Sequence, residues 1–140
     1  DHSIYTKHDT ATLPIEDVQD STHVVTNFSQ SDGVGGTVVV EYSYEGLKRD
    51  HGGRGLLGFA KITSKNLATD STTITEYAQE FPYASQPTRV ESRRSSDNLL
   101  VQSIDTTYAV HGTIGVEPVF SYVSQRVVAN YDIDDGGLIS

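Results

Sequence analysis

The sequence predicts an all-β domain, in which antiparallel hairpins form either a β-sandwich or a segment of a larger β-shell. Apolar and polar residues alternate along several stretches, which is typical of half-buried strands. No stretch repeats its apolar residues with the helical period of about 3.6 residues. Clusters of Gly, Asn, Asp and Ser separate the alternating stretches and predict turns. We expect residues 1–21 to be irregular and residues 22–140 to form one β domain.

The first predicted hairpin joins residues 22–29 to residues 37–45 through the glycine-rich turn 31–36. Its second strand alternates clearly, so that one face carries Val38, Val40, Tyr42 and Tyr44 and the other carries Thr37, Val39, Glu41, Ser43 and Glu45. This pattern predicts a strand that is buried on one face.

A second hairpin is predicted directly afterwards. Residues 47–51 are mostly polar, and the glycines at 46, 52, 53 and 55 are expected to supply positive φ angles for a chain reversal. Residues 56–63 then resume an extended apolar pattern and should pair with the preceding strand. Gly58 beside Phe59 suggests a bulge or the close approach of another backbone.

The remaining chain predicts strands at 72–79, 88–93, 99–110 and 119–131, separated by turns at 66–71, 95–98 and 112–115 and by a bend between Pro82 and Pro87. The total expected is seven or eight strands. The last two carry apolar residues on both faces, so both faces need cover. Either a closed sandwich or barrel, or neighbouring sheets of a larger shell, would supply it.

Nine residues of the second hairpin form a motif, Tyr-x-Tyr-x-Gly followed by Gly-Arg-Gly-x-Leu-Gly-Phe: Tyr42, Tyr44, Gly46, Gly53, Arg54, Gly55, Leu57, Gly58 and Phe59. The motif resembles a block of the B components of insecticidal toxin complexes, of SpvB-type proteins and of Rhs (YD-repeat) proteins. In that group such segments build a β-rich casing and perform no chemistry. The resemblance implies that these nine residues have a structural role.

The resemblance continues over residues 22–138. Tyr77-Ala-Gln79-Glu-Phe81-Pro82 is similar to the group's Tyr-x-Gln-x-Phe-Pro pattern, and residues 130–138 are similar to the start of a YD repeat. The latter has one extra residue before its glycine, and Gly137 stands where arginine is usual. The group implies a secreted or surface-exposed bacterial virulence protein whose shell encloses a separate toxic effector. The implied partners are other segments of the same large chain and a YD-repeat toxin protein.

Gly53, Gly55 and Gly58 also have the Gly-x-Gly-x-x-Gly spacing of a dinucleotide site. That site needs a helix after the glycines, with its N-terminus facing the pyrophosphate. Residues 60–64 are rich in β-branched side chains and predict a strand instead. We therefore predict no nucleotide site and no cofactor.

Charge and composition exclude several function classes. The chain has a net charge of −9, which argues against a nucleic-acid partner. Its one basic cluster, Arg89, Arg93 and Arg94, adjoins Glu91 and Asp97 and is expected to be a solvated strand end. Cysteine is absent, and no apolar run approaches the roughly 18 residues of a membrane span. Residues 1–6 lack the features of a signal peptide, and we expect the chain to be cut from a longer protein.

The sequence predicts no catalytic site. Its histidines, at positions 2, 8, 23, 51 and 111, are scattered and lack the spacing of a zinc site. Asp50-His51 could in principle be an oriented base, but it lies in a predicted turn. Ser71-Thr72-Thr73 matches an ADP-ribosyltransferase strand poorly, and no Glu-x-Glu pair occurs.

Two binding hypotheses stay open. Asp132, Asp134 and Asp135 before Gly136 resemble a calcium loop whose spacing is one residue short. A free-standing extracellular β-sandwich that binds carbohydrate or protein is the alternative to the shell. Its candidate platform residues are Tyr5, Tyr83, Tyr108 and Tyr122, although aromatic residues of this kind usually serve packing.

Overall fold

The computed structural model describes residues 4–19, 22–116 and 118–140. In these ranges the chain forms eleven β-strands and no helix, which confirms the predicted all-β class. The strands are β1 (Tyr5–Thr6), β2 (Ile15–Asp17), β3 (Asn27–Ser31), β4 (Thr37–Glu45), β5 (Lys48–Asp50), β6 (Gly55–Gly58), β7 (Lys61–Asn66), β8 (Ser71–Tyr77), β9 (Pro87–Arg94), β10 (Leu100–His111) and β11 (Phe120–Asn130).

Eight strands form the first sheet, in the order β1-β4-β7-β8-β9-β10-β11, with β3 also pairing with β4. β1 runs parallel to β4 and every other pair is antiparallel. Because β7 takes one edge of β4, the strands β1 and β3 share its other edge. The strands from β8 to β11 follow the predicted strands within two residues at each end. The first hairpin is present, but the prediction of a strand at 22–29 is wrong for residues 22–26, because β3 begins at Asn27.

The three-stranded second sheet, β2-β5-β6, corrects the predicted second hairpin. β4 pairs with β7 and not with residues 56–58, which belong to β6. Residues 46–60 leave the first sheet, form the β5–β6 hairpin and return. Gly46 and Gly58, with φ angles of +62° and +88°, lie at the two points where the chain changes sheet.

The N-terminal segment was expected to be irregular, and within residues 4–19 this is wrong in part. β1 adds to β4, and β2 pairs antiparallel with β5. Residues 1–3, 20 and 21 of that segment lie outside the described ranges. β1, β2 and β5 are two or three residues long, so they are too short to show an alternating pattern.

The apolar core is small and lies where the two sheets meet. In the described ranges the buried apolar residues are Val18, Tyr44, Leu47 and Leu57, and no large side chain is completely buried. The strand registers continue the Tyr44 row across the first sheet through Ile62, Thr75, Val90, Ile104 and Val128. Burial decreases along this row, since Ile62, Val90 and Ile104 are half-buried and Val128 is exposed.

The opposite face of the first sheet carries a row of charges that alternate in sign. Its members are Glu45, Lys61, Glu76, Arg89 and Asp105, one on each of five neighbouring strands. Opposite charges directly across antiparallel strands stabilise the pairing by a few tenths of a kcal/mol, up to about 1 kcal/mol each. The row ends at Val127 on β11, where the apolar character returns.

Candidate functional site

We call the nine motif residues the signature cluster: Tyr42, Tyr44, Gly46, Gly53, Arg54, Gly55, Leu57, Gly58 and Phe59. They lie at the end of β4, in the β5–β6 hairpin and in the link to β7. The structure therefore places most of them at the junction between the two sheets. Leu57 is buried there, whereas Tyr42 is half-buried on β4 opposite Ser64.

Three aromatic rings form the centre of this junction. The Phe59 ring lies 4.8 Å from the Tyr44 ring and 6.2 Å from the Tyr5 ring, measured between centroids. The Tyr44 hydroxyl donates a 2.8 Å hydrogen bond to the carbonyl of Val25, and the Tyr5 hydroxyl donates to the carbonyl of Val18. Burial raises the pKa of Tyr44. The Tyr5, Tyr44 and Phe59 rings therefore serve packing, and they join the N-terminal segment to β4.

Gln79 completes the junction, although the sequence indicated it only as part of a second motif. Its side-chain amide donates to the carbonyl of Gly46 at 2.6 Å and to the carbonyl of Gly58 at 2.8 Å. These are the two glycines at which the chain leaves and rejoins the first sheet. One amide group thus holds both crossing points together.

The cluster glycines fall into two kinds. At Gly46 and Gly58 a Cβ atom would lie 2.5 Å from Nδ1 of His8 and 2.6 Å from Oγ of Ser85, respectively. Gly53 and Gly55 have φ angles of +111° and +74° and open space around them. The expected positive φ at positions 46, 53 and 55 is confirmed.

The prediction of a positive φ angle is wrong for Gly52. Its amide instead donates a 2.6 Å hydrogen bond to Oδ1 of Asp50, which a side chain at position 52 would crowd. The bulge predicted at Gly58 is confirmed, because the register of β5 and β6 shifts between Lys48, which faces Gly58, and Arg49, which faces Leu56. The close neighbour of Gly58 is the Ser85 hydroxyl from the β8–β9 loop and not another backbone.

Arg54 has two partners. Nη1 of Arg54 lies 3.2 Å from Oδ2 of the buried Asp50 carboxylate. Its guanidinium also lies 4.3 Å from the centre of the Phe81 ring, a cation–π contact with the residue before Pro82. These side-chain contacts tie the β5–β6 turn to β5 and to the β8–β9 loop, so that Arg54 has a structural role.

The geometry does not provide a phosphate site at the glycine motif. β6 ends at Gly58 and strand β7 begins at Lys61, so no helix N-terminus follows the glycines.

The histidines also do not converge. His51 contacts Oε2 of Glu16 at 2.7 Å, and His8 lies 3.9 Å from Glu45. Asp50 is directed at Gly52 and Arg54, so the hypothetical Asp50-His51 base is not assembled. Within the described ranges no three His, Cys, Asp or Glu residues could hold a metal ion together. His2 lies outside those ranges.

In the 132–138 turn two aspartates bind the backbone. Oδ1 of Asp132 accepts the amide of Asp134, and Oδ1 of Asp135 accepts the amide of Gly137, each at 2.8 Å. These contacts shape the turn.

The three arginines that could have formed an anion site are each paired. Arg89 and Arg93 both bind Glu91, at 2.8 and 2.7 Å, and Arg94 binds Asp97 at 2.6 Å. Burial alone would raise the pKa of Glu91, but hydrogen bonds from Arg93 and Arg89 outweigh burial and the pKa is lowered. The cluster is therefore an ion-pair network across β9.

The four candidate platform tyrosines do not form one surface. Tyr5 lies in the junction, while the Tyr83 and Tyr108 rings lie 6.3 Å apart near the β8–β9 loop. The Tyr108 hydroxyl donates to the carbonyl of Pro87 at 2.8 Å. Tyr122 is exposed on β11. Only Tyr83 and Tyr108 are thus brought together.

No helix in the described ranges has the length and apolar character to cross a membrane. Comparison of the chain with protein-family models, with curated proteins and with solved structures finds no match.

Proposed function

We propose that this chain is a non-catalytic structural β domain of a secreted or cell-surface bacterial toxin assembly, part of an SpvB- or Rhs-like shell that encloses a separate effector. The signature cluster is the observation that carries the proposal. Its polar groups bind residues beside the cluster: the carbonyls of Gly46 and Gly58 accept hydrogen bonds from Gln79. Two of its rings, Tyr44 and Phe59, pack against each other, and Phe59 also packs against Tyr5. Because these groups are engaged in contacts within the domain, the cluster is suited to a structural role and not to catalysis.

The small core agrees with a role inside a larger assembly. A domain of 140 residues normally buries about two-thirds of its unfolded surface. Here the buried apolar residues of the described ranges are confined to the junction, and the meander from β8 to β11 has half-buried or exposed apolar side chains. Neighbouring segments of the same large chain would cover these faces, and a YD-repeat toxin protein would be a further partner.

Dye binding tests the exposed apolar surface on which this proposal depends. The isolated chain should bind a hydrophobic dye such as ANS, and V127T/V128T should reduce the fluorescence, since both valines are exposed on β11. Leu13→Thr is the matched control, because Leu13 is exposed in the N-terminal segment. Absence of dye binding by the unmodified chain would contradict the proposal.

A free-standing carbohydrate-binding sandwich is the second candidate, favoured by one groove. This groove, of about 480 Å³, lies between the N-terminal segment and the β8–β9 loop, and Tyr77, Tyr83, Lys48 and Glu80 are among its lining residues. Aromatic faces beside charged groups are typical of sugar sites. Titration with neutral and acidic oligosaccharides, followed by tyrosine fluorescence, tests it. Saturable binding that Tyr83→Ala abolishes would favour this candidate over the shell.

A further inference from the structure

β11 is an edge strand of the first sheet and carries several exposed apolar side chains. β11 pairs along its length with β10. Its five large apolar side chains are between 43% and 61% exposed: Phe120, Tyr122, Val123, Val127 and Val128. Their register places Val123 and Val128 on one face of the sheet and the other three on the opposite face. The strand lacks the lysines and prolines that commonly protect an edge.

The chain itself begins to cover this edge after β11 ends. Residues 132–137 form a turn in which the amide of Asp132 donates to the carbonyl of Gly137, and Tyr131 forms an antiparallel bridge with Leu138. The amide of Asn130 donates to the carbonyl of Ser140 at 2.6 Å, and the amide of Ile139 donates to the carbonyl of Asn130 at 2.8 Å. Residues 138–140 therefore lie antiparallel to the end of β11, on the side away from β10.

These bonds fix a register for the rest of the edge. Backbone N–H and C=O groups alternate in direction along a strand, with a period of about two residues. Since both backbone groups of Asn130 face away from β10, those of Val128 and Arg126 face the same way. The register shift between Thr107 and Tyr108 interrupts this phase, because Ser124 has no residue directly opposite it on β10. Because Asn130 is already bonded to residues 139 and 140, the short, regular open edge consists of residues 126–128.

Charge indicates the chemistry of the strand that would fit. The chain carries 19 acidic residues, yet residues 118–131 contain none. Arg126 is exposed, and no described residue pairs with it. A fitting strand would place an Asp or Glu near Arg126 and apolar side chains beside Val127 and Val128.

We infer that the open edge formed by residues 126–128 accepts an antiparallel strand, which continues from Ser140 and carries a carboxylate facing Arg126. The inference rests on the proposed function, since the strand belongs to the longer protein of which this domain is a segment. Strand addition would bind the open backbone groups, and side chains of the added strand would lie beside Val127 on one face of the sheet and beside Val128 on the other. β11 would then connect this domain to the next segment of the shell through a continuous β-sheet.

The test extends the chain beyond Ser140 by a designed strand of roughly six to eight residues, an ordinary strand length. One extension alternates Val and Thr and places Glu opposite Arg126. The control has the same length and charge but carries Pro at alternate positions, and so cannot pair. Hydrogen exchange by NMR should show the amides of Val128 and Arg126 slowed at least about tenfold by the first extension only.

A charge swap tests the role assigned to Arg126. Arg126→Glu should weaken protection by the Glu-containing extension, and Lys in place of that Glu should restore it. Equal exchange with the Val/Thr and proline extensions would overturn the inference. Protection that depends on protein concentration would also overturn it, because β11 would then pair with a second copy. The proposed function is tested separately, by dye binding of the chain without any extension. The two experiments can therefore fail independently of each other.

Discussion

Gln79 makes the most specific contact of the junction, because one amide group serves two carbonyls from separate parts of the chain. Gln79→Glu replaces the donor by a group that can only accept, so both carbonyls lose their partner beside a negative charge. We expect the free energy of unfolding to fall by about 2 kcal/mol or more, measured by urea denaturation. Gln30→Glu on the exposed strand β3 is the control and should have little effect. An unchanged midpoint for Gln79→Glu would contradict the role assigned to this amide.

Alanine substitutions at Gly58 and Gly53 distinguish the cost of backbone strain from the cost of a steric contact. Both have positive φ, but only at Gly58 would an added Cβ meet a neighbour, Oγ of Ser85 at 2.6 Å. We expect Gly53→Ala to cost about 1 kcal/mol and Gly58→Ala clearly more, in thermal or urea unfolding. Adding Ser85→Ala to Gly58→Ala should recover part of the extra cost. Equal losses at the two glycines would show that the contact with Ser85 is unimportant.

Local sequence identified the glycines of the junction but not their partners. A positive φ is a property of one residue, so Gly46, Gly53 and Gly55 could be predicted from residue type and position. Gln79 and Ser85 reach the junction from a loop more than twenty residues further along the chain. Only the fold brings them there, and no pattern near either residue indicates the contact.

At the scale of strands, the ion pairs of β9 predict a dependence on pH. Arg93 and Arg89 lower the pKa of Glu91, so the stability that they contribute is present above the unfolded pKa, near 4.5, and is lost as the pH falls through the folded value. Since both arginines are partly exposed, we expect Glu91→Gln to cost about 1 kcal/mol or less at neutral pH. The cost should vanish in acid.

Urea denaturation between neutral pH and about pH 3 measures this difference, with the exposed Glu80→Gln as control. A cost of Glu91→Gln that stays constant over the whole range would show that the charge of Glu91 is not involved.

Strand length decided which elements the sequence could predict. β4 and β7 to β11 are six to twelve residues long, so their alternation and the turns between them are clear in the sequence. β1, β2 and β5 are set by pairing with distant strands and have no pattern of their own. The same limit explains the wrong pairing of residues 56–58, which are apolar enough to continue either sheet.

For the molecule as a whole, a structural role predicts that nucleotides do not bind at the glycine motif. NAD or ATP should leave the thermal midpoint unchanged, because strand β7 follows the glycines and no helix N-terminus is available. A dose-dependent rise in the midpoint at micromolar nucleotide would contradict the structural reading of Gly53, Gly55 and Gly58.

If this domain is one segment of a larger shell, the isolated chain should leave apolar strand surface uncovered. Neighbouring segments would bury that surface in the whole protein. Light scattering combined with calorimetry tests this most directly. We predict concentration-dependent association and a broad unfolding transition, because β11 and the outer part of the first sheet lack a covering layer in the described chain. A strictly monomeric chain that unfolds in one sharp cooperative transition would show a self-contained domain and would contradict the account.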